Sequence, residues 1–161
     1  MRKILAITLS VAAGFIIEFL IFNFAAPFLR PNLLLLLVIF TNLFFGIRYS
    51  LYAAILGGVL IDSFASGPWG INMFSFVACA YLTTVFKKYI YLIGSEASVL
   101  LLAGAVVVAN FFMEFFLNMI FADISLGEAL RFIFFREAFM TLVVTPVLFR
   151  EMRRCVLRLY A

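Results

Sequence analysis

Apolar residues fall into six long runs, at about 4–22, 33–45, 49–64, 71–86, 97–121 and 132–149, parted by short stretches that collect charge, proline and glycine. Inside lipid, only a helix satisfies its own backbone over such lengths. The pattern therefore predicts an all-α integral membrane protein, a bundle of six transmembrane helices. The second and third runs are shorter than the roughly 20 residues that a perpendicular span requires. Arg48 between them is expected to snorkel to the interface while both helices extend into it, with a shallow re-entrant hairpin as the competing arrangement. The first run follows Arg2 and Lys3 as in a signal peptide, but it is long for the apolar core of one and is counted as a span.

Polar and small residues inside the runs recur every three or four positions, which share one helical face. The stripes are Ser10, Gly14, Glu18 on the first helix; Ser50, Ala54, Gly58, Asp62 on the third; Asn72, Ser75, Cys79, Thr83 on the fourth; Asn110, Glu114, Asn118 on the fifth; and Glu137, Thr141, Thr145 on the sixth. These faces are expected to point into the bundle, because small residues let helix backbones approach and hydroxyl or amide groups bridge them. The second run offers only Asn32 and the pair Thr41 and Asn42, so it is expected to be the helix most exposed to lipid or to a partner. After Phe121, Ser125 and Glu128 have capping-box spacing, which predicts a helix from near Leu126 to Phe149 with a kink near Pro146.

Composition agrees with this picture: 67% of the 161 residues are hydrophobic and 12% charged, against roughly 45–50% and 25% in soluble domains. One membrane domain, 1–161, uses the whole length. The net charge of +4 is spread between the apolar runs rather than gathered on a phosphate-binding face, which argues against nucleic acid. With the N-terminus in the cytoplasm, Arg2, Lys3, Arg48, Lys87, Lys88, Arg150, Arg153, Arg154 and Arg158 lie inside, and only Arg30, Arg131 and Arg136 lie outside. This asymmetry predicts a multi-pass membrane protein with both termini cytoplasmic. The basic tail 150–161 alternates cations with Met152, Val156, Leu157 and Leu159, which suits a helix on an anionic inner leaflet as well as it suits ordinary topology charges. Cys79 and Cys155 make no disulfide framework, and without histidine the usual metal and haem ligand sets cannot be assembled, so no cofactor or metal is expected.

Carboxylates within the runs demand a reason, since an intramembrane charge costs roughly 2.5–3.5 kcal/mol on insertion scales. In the orientation above, Glu18, Asp62, Glu114 and Glu137 share the outer half of the membrane with Arg30 and Arg136. Either they form an internal salt-bridge set that fixes helix register, or they line a water-filled cavity open to the outside. No nucleophile or phosphate cradle marks the set as catalytic, and the chain is not expected to be an enzyme.

The least generic stretch runs from Gly57 and Gly58 through Asp62 to Gly67, Pro68, Trp69 and Gly70, a glycine-rich hairpin with one aspartate. Together with Arg30, Pro31 and Asn32 before the run Leu33 to Phe40, with Ala80, Tyr81 and Leu82 on the next helix, and with Thr145 and Pro146 near the end, it resembles the rod shape-determining MreD family. That resemblance implies a noncatalytic scaffold of the bacterial cell-elongation machinery that partners a bitopic MreC-like protein. It implies links through that pair to the polymerase RodA, its transpeptidase partner, RodZ and MreB filaments, and a bundle like the substrate-binding subunits of energy-coupling-factor vitamin transporters. Arg30, Pro31, Asn32, Gly57, Gly58, Asp62, Gly67 and Gly70 are then the candidate partner-binding or structural residues, and the small faces at Gly57 and Gly58 the expected docking site for a partner helix. The alternative is a small-molecule-binding subunit of a vitamin-type transporter, its outer pocket lined by Glu18, Asp62, Glu114 and Arg136.

Overall fold

In the computed structural model the described residues are 2–24, 31–64, 69–90, 96–121 and 134–160, with side-chain surroundings described for 4–21, 23, 31–64, 69–89, 97–121, 139–152 and 154. They form six helices: α1 Arg2–Phe24, α2 Leu33–Phe45, α3 Ile47–Phe64, α4 Ile71–Ile90, α5 Glu96–Phe121 and α6 Phe134–Tyr160. Three carry windows long and apolar enough to cross a membrane, at Ile4–Ile21, Ile47–Phe64 and Ala97–Phe121.

Side-chain contacts set the helix directions. Thr8 reaches Tyr52 and Phe19 packs on Phe64, so α1 and α3 run parallel. Asn32 meets Thr141, and Phe40 and Phe44 pack on Phe149, so α2 and α6 also run together. Asn42 and Lys87 pair α2 with α4 in the same sense, while Ser75 to Asn110 and Cys79 to Val106 set α5 against α4. Odd-numbered helices thus run one way and even-numbered ones the other.

The centre is α2. It packs on α1, α3, α4, α5 and α6, and every residue from Leu33 to Leu43 is buried. This reverses the expectation that the second helix would face lipid or a partner. An all-round apolar helix can lie in lipid or in a protein core, and composition does not distinguish them. Length does: 13 residues rise only about 20 Å, against a hydrocarbon layer of about 30 Å. Such a helix ends inside the apolar layer, where its terminal backbone groups need protein partners.

The polar stripes are where their spacing puts them. Ser50, Ala54, Gly58 and Asp62 of α3, Ser75, Cys79 and Thr83 of α4, Asn110 of α5, and Thr141 and Thr145 of α6 are all buried. Their opposite faces carry Leu5, Leu9, Ile16 and Leu20 on α1, Tyr81 and Val85 on α4, and Leu101 and Phe116 on α5, all exposed as lipid-facing residues should be. Arg48, in the first turn of α3, is exposed as the snorkelling reading requires. The helix start near Leu126 lies outside the described residues. Helix α6 continues through Pro146 to Tyr160, so 150–160 extends the last helix.

Candidate functional site

Both ends of α2 are closed by side chains from elsewhere in the chain. At its N-terminus Asn32 is the cap: its side chain accepts the Leu35 amide at 2.9 Å, and its own amide donates to Thr141 Oγ1 of α6 at 3.0 Å. The Leu33 amide donates to the Pro31 carbonyl at 3.0 Å, and that of Leu36 to the Asn32 carbonyl at 3.3 Å. The remaining first-turn amide, Leu34, donates to Glu18 Oε2 of α1 at 3.3 Å. Every amide from Asn32 to Leu36 therefore has an acceptor, and a carboxylate stands at the positive end of the helix dipole. At the other end Lys87 Nζ of α4 donates to the Leu43 carbonyl at 2.9 Å and the Asn42 carbonyl at 3.4 Å, placing a cation at the negative end. Asn42 Nδ2 completes that end by donating to the Ala80 carbonyl at 2.7 Å and to Thr84 Oγ1 at 2.9 Å.

Asp62 does for α4 what Glu18 does for α2, with more partners. Gly70, the residue before α4, has φ +97°, a backbone region that glycine enters without strain, and it has no side chain with which to cap. Asp62 of α3 supplies the missing acceptor. Its Oδ2 accepts the amides of Gly70 and Met73, each at 3.1 Å, and its Oδ1 accepts the Asn72 amide at 3.2 Å and Asn72 Nδ2 at 2.8 Å. One helical turn earlier, Gly58 makes this reach possible: a Cβ there would stand 2.3 Å from Met73 Cα, so α3 and α4 cross at a distance that only glycine permits. Sequence spacing indicated the Gly58 to Asp62 stripe; the amides that Asp62 receives lie across the turn and left no signal beyond Gly70 and Asn72 themselves.

Glu114 belongs to a third polar group. Its Oε1 accepts Asn110 Nδ2 at 2.8 Å, and Asn110 Oδ1 in turn accepts Ser75 Oγ at 2.7 Å, tying α5 to α4. Beside it a cavity of about 20 Å³ is bounded by Asn32, Leu35, Asn110, Glu114 and Thr141. That is room for about one water with several polar neighbours.

Glu18, Asp62 and Glu114 thus lie toward the end of the bundle where α2 begins. The cations Arg48, Lys87, Lys88, Arg150 and Arg154 occupy the opposite end. Of the other candidates, Arg30 and Gly67 lie outside the described residues, and Arg136 and Glu137 are in α6 with side chains outside them. Pro31 and Asn32 are buried at the start of α2. Gly57 and Gly58 are buried too, facing Leu34 of α2 and Met73 of α4. The close-packing face read at those glycines is therefore filled by the chain's own helices. The feature that residue spacing missed is Lys87, and with it the role of α2; a short apolar run between Asn32 and Asn42 was the available clue.

Helices whose outward faces are apolar and whose inward polar groups are spent on helix ends and on bonds between helices define a helical membrane protein. The family model described as rod shape-determining protein MreD matches residues 1–155, and the chain belongs to that family. Its role is accordingly in rod shape determination, and the family is structural or regulatory and not a known enzyme family. No curated protein and no solved structure matches the chain.

Proposed function

We propose that the chain is a noncatalytic scaffold of the bacterial cell-elongation machinery, embedded in the inner membrane with both termini cytoplasmic, which binds the transmembrane helix of an MreC-like bitopic partner. The family match over 1–155 carries this reading. The gathering of Arg48, Lys87, Lys88, Arg150 and Arg154 at one end supports the orientation, since cytoplasmic ends hold the excess of cations. Through the partner the scaffold joins peptidoglycan synthesis: RodA, its transpeptidase, RodZ and MreB. The six helices are read as six spans in a bundle like that of vitamin-transporter substrate-binding subunits, an architectural likeness that brings no transport activity with it.

Because Gly57 and Gly58 face inward, the partner helix meets an outward face. The carboxylates Glu18 and Asp62 accept backbone amides within the bundle, a structural use that supports the scaffold reading. Photo-cross-linkers placed at Leu9, Ile16, Tyr81, Val85, Leu101 and Val108 in living cells test the reading. Capture of an MreC-like bitopic protein from neighbouring positions on one face is the expected result. Absence of that partner from all six positions, with the protein folded and present in the membrane, would reject the partner; unchanged cell shape on removing the chain would reject the scaffold.

A further inference from the structure

At the basic end of the bundle, α5 and α6 line a groove of about 580 Å³. One wall is Val99 and Leu100 of α5; the other is Val147 and Phe149 of α6, and Arg150 and Arg154 stand at its mouth. The volume is in the range of small-molecule sites, roughly 300–1,000 Å³. Its character changes along its length. Leu100 and Val147 are 38% and 65% exposed, so the apolar part opens sideways toward the acyl chains rather than toward water. One turn further along α6 the lining becomes cationic, and Arg150 and Arg154, four residues apart, share a helical face.

An apolar slot open to lipid, topped by paired guanidinium groups, has the two-part chemistry of a phospholipid with a negatively charged headgroup. We infer that this groove is a binding site for one anionic phospholipid, with an acyl chain along Leu100 and Val147 and the phosphate on Arg150 and Arg154. Glu151 also lines the site and bonds Arg154 at 2.5 Å, with both side chains more than half exposed. The guanidinium has donors to spare for a phosphate, and Glu151 disfavours a second one. Arg48 and Lys88, exposed at the same end, add to the positive field without lining the groove. Pro146, in the groove wall, lacks an amide and takes the place of the donor that the Leu142 carbonyl would otherwise receive from the helix. The inference concerns a lipid site and does not depend on the partner proposed above.

Native mass spectrometry of the full chain in nonionic detergent, with dioleoylphosphatidylglycerol or dioleoylphosphatidylcholine added in equal amounts, tests it. The wild type should retain phosphatidylglycerol preferentially, and each of Arg150→Gln and Arg154→Gln should weaken that retention roughly fivefold. Leu100→Trp and Val147→Trp, at exposed positions, should lower occupancy with both arginines intact, while circular dichroism shows unchanged helix content. Arg150→Lys with Arg154→Lys should keep part of the preference. Equal retention of the two lipids by the wild type, a preference that survives loss of both arginines, or occupancy indifferent to both tryptophans would overturn the site. Displacement of the lipid by excess inorganic phosphate would overturn the lipid assignment in favour of a free anion.

Discussion

Helices α1 and α2 are both largely apolar and occupy opposite positions. The first turns Leu5, Leu9, Ile16 and Leu20 outward and touches the bundle through Ile7, Val11 and Gly14; the second hides every residue from Leu33 to Leu43. Lipid tails are as apolar as leucine, so burial against protein gains little over burial in the bilayer, and side-chain hydrophobicity does not assign either place. The helix ends do. Helix α1, at 23 residues, is about 35 Å long and can bring both termini to water, whereas α2 at 13 residues cannot. A short helix is tenable in the bilayer only where neighbours accept its amides and donate to its carbonyls. Glu18, Thr141 and Lys87 do so from α1, α6 and α4, beside the helix's own cap Asn32, and that requirement places α2 in the middle.

The largest expected effect comes from a carboxylate that closes a helix end. Asp62→Ala removes the acceptor of three amides and one side-chain donor in a buried place, and should cost more than about 3 kcal/mol. The loss should be visible as failure to give a monodisperse protein in detergent, with Asp62→Asn retaining part of the fold. Leu36→Ala and Leu9→Ala set the two helices against each other. Leu36 is fully buried in α2 and its truncation leaves a cavity costing about 2 kcal/mol, at the low end of soluble cores because lipid offers the unfolded helix an apolar home. Leu9→Ala, on the outer face of α1, should change stability by less than about 0.5 kcal/mol; reversible unfolding in mixed micelles with sodium dodecyl sulfate reads both. Gly58→Ala, which pushes a methyl group into the Met73 backbone, should cost about 1–2 kcal/mol and separate α3 from α4 enough to weaken the Asp62 cap. Apart from the Leu9→Ala control, the smallest effect belongs to Lys87→Met, about 0.5–1 kcal/mol from loss of the cation at the α2 C-terminus, measurable in the same titration.

Much of this was legible from residue spacing. Stripes such as Ser50, Ala54, Gly58, Asp62 identify their buried face because polar and small residues are scarce in the runs and recur at one turn. What spacing could not show is which groups meet across the bundle: Glu18 reaches an amide 16 residues away and Lys87 a carbonyl 44 away. The place of α2 was hidden by its own uniformity, and the inward turn of Gly57 and Gly58 followed from that same central position.

Labelling from within the bilayer tests the central position of α2 most directly. A lipid-soluble diazirine, photolysed in membranes containing the folded protein and mapped by peptide mass spectrometry, should mark Leu5, Leu9, Ile16 and Leu20 of α1 strongly and leave Leu34 to Phe40 of α2 unmarked until the protein is denatured. Equal marking of α1 and α2 in the folded protein would contradict it.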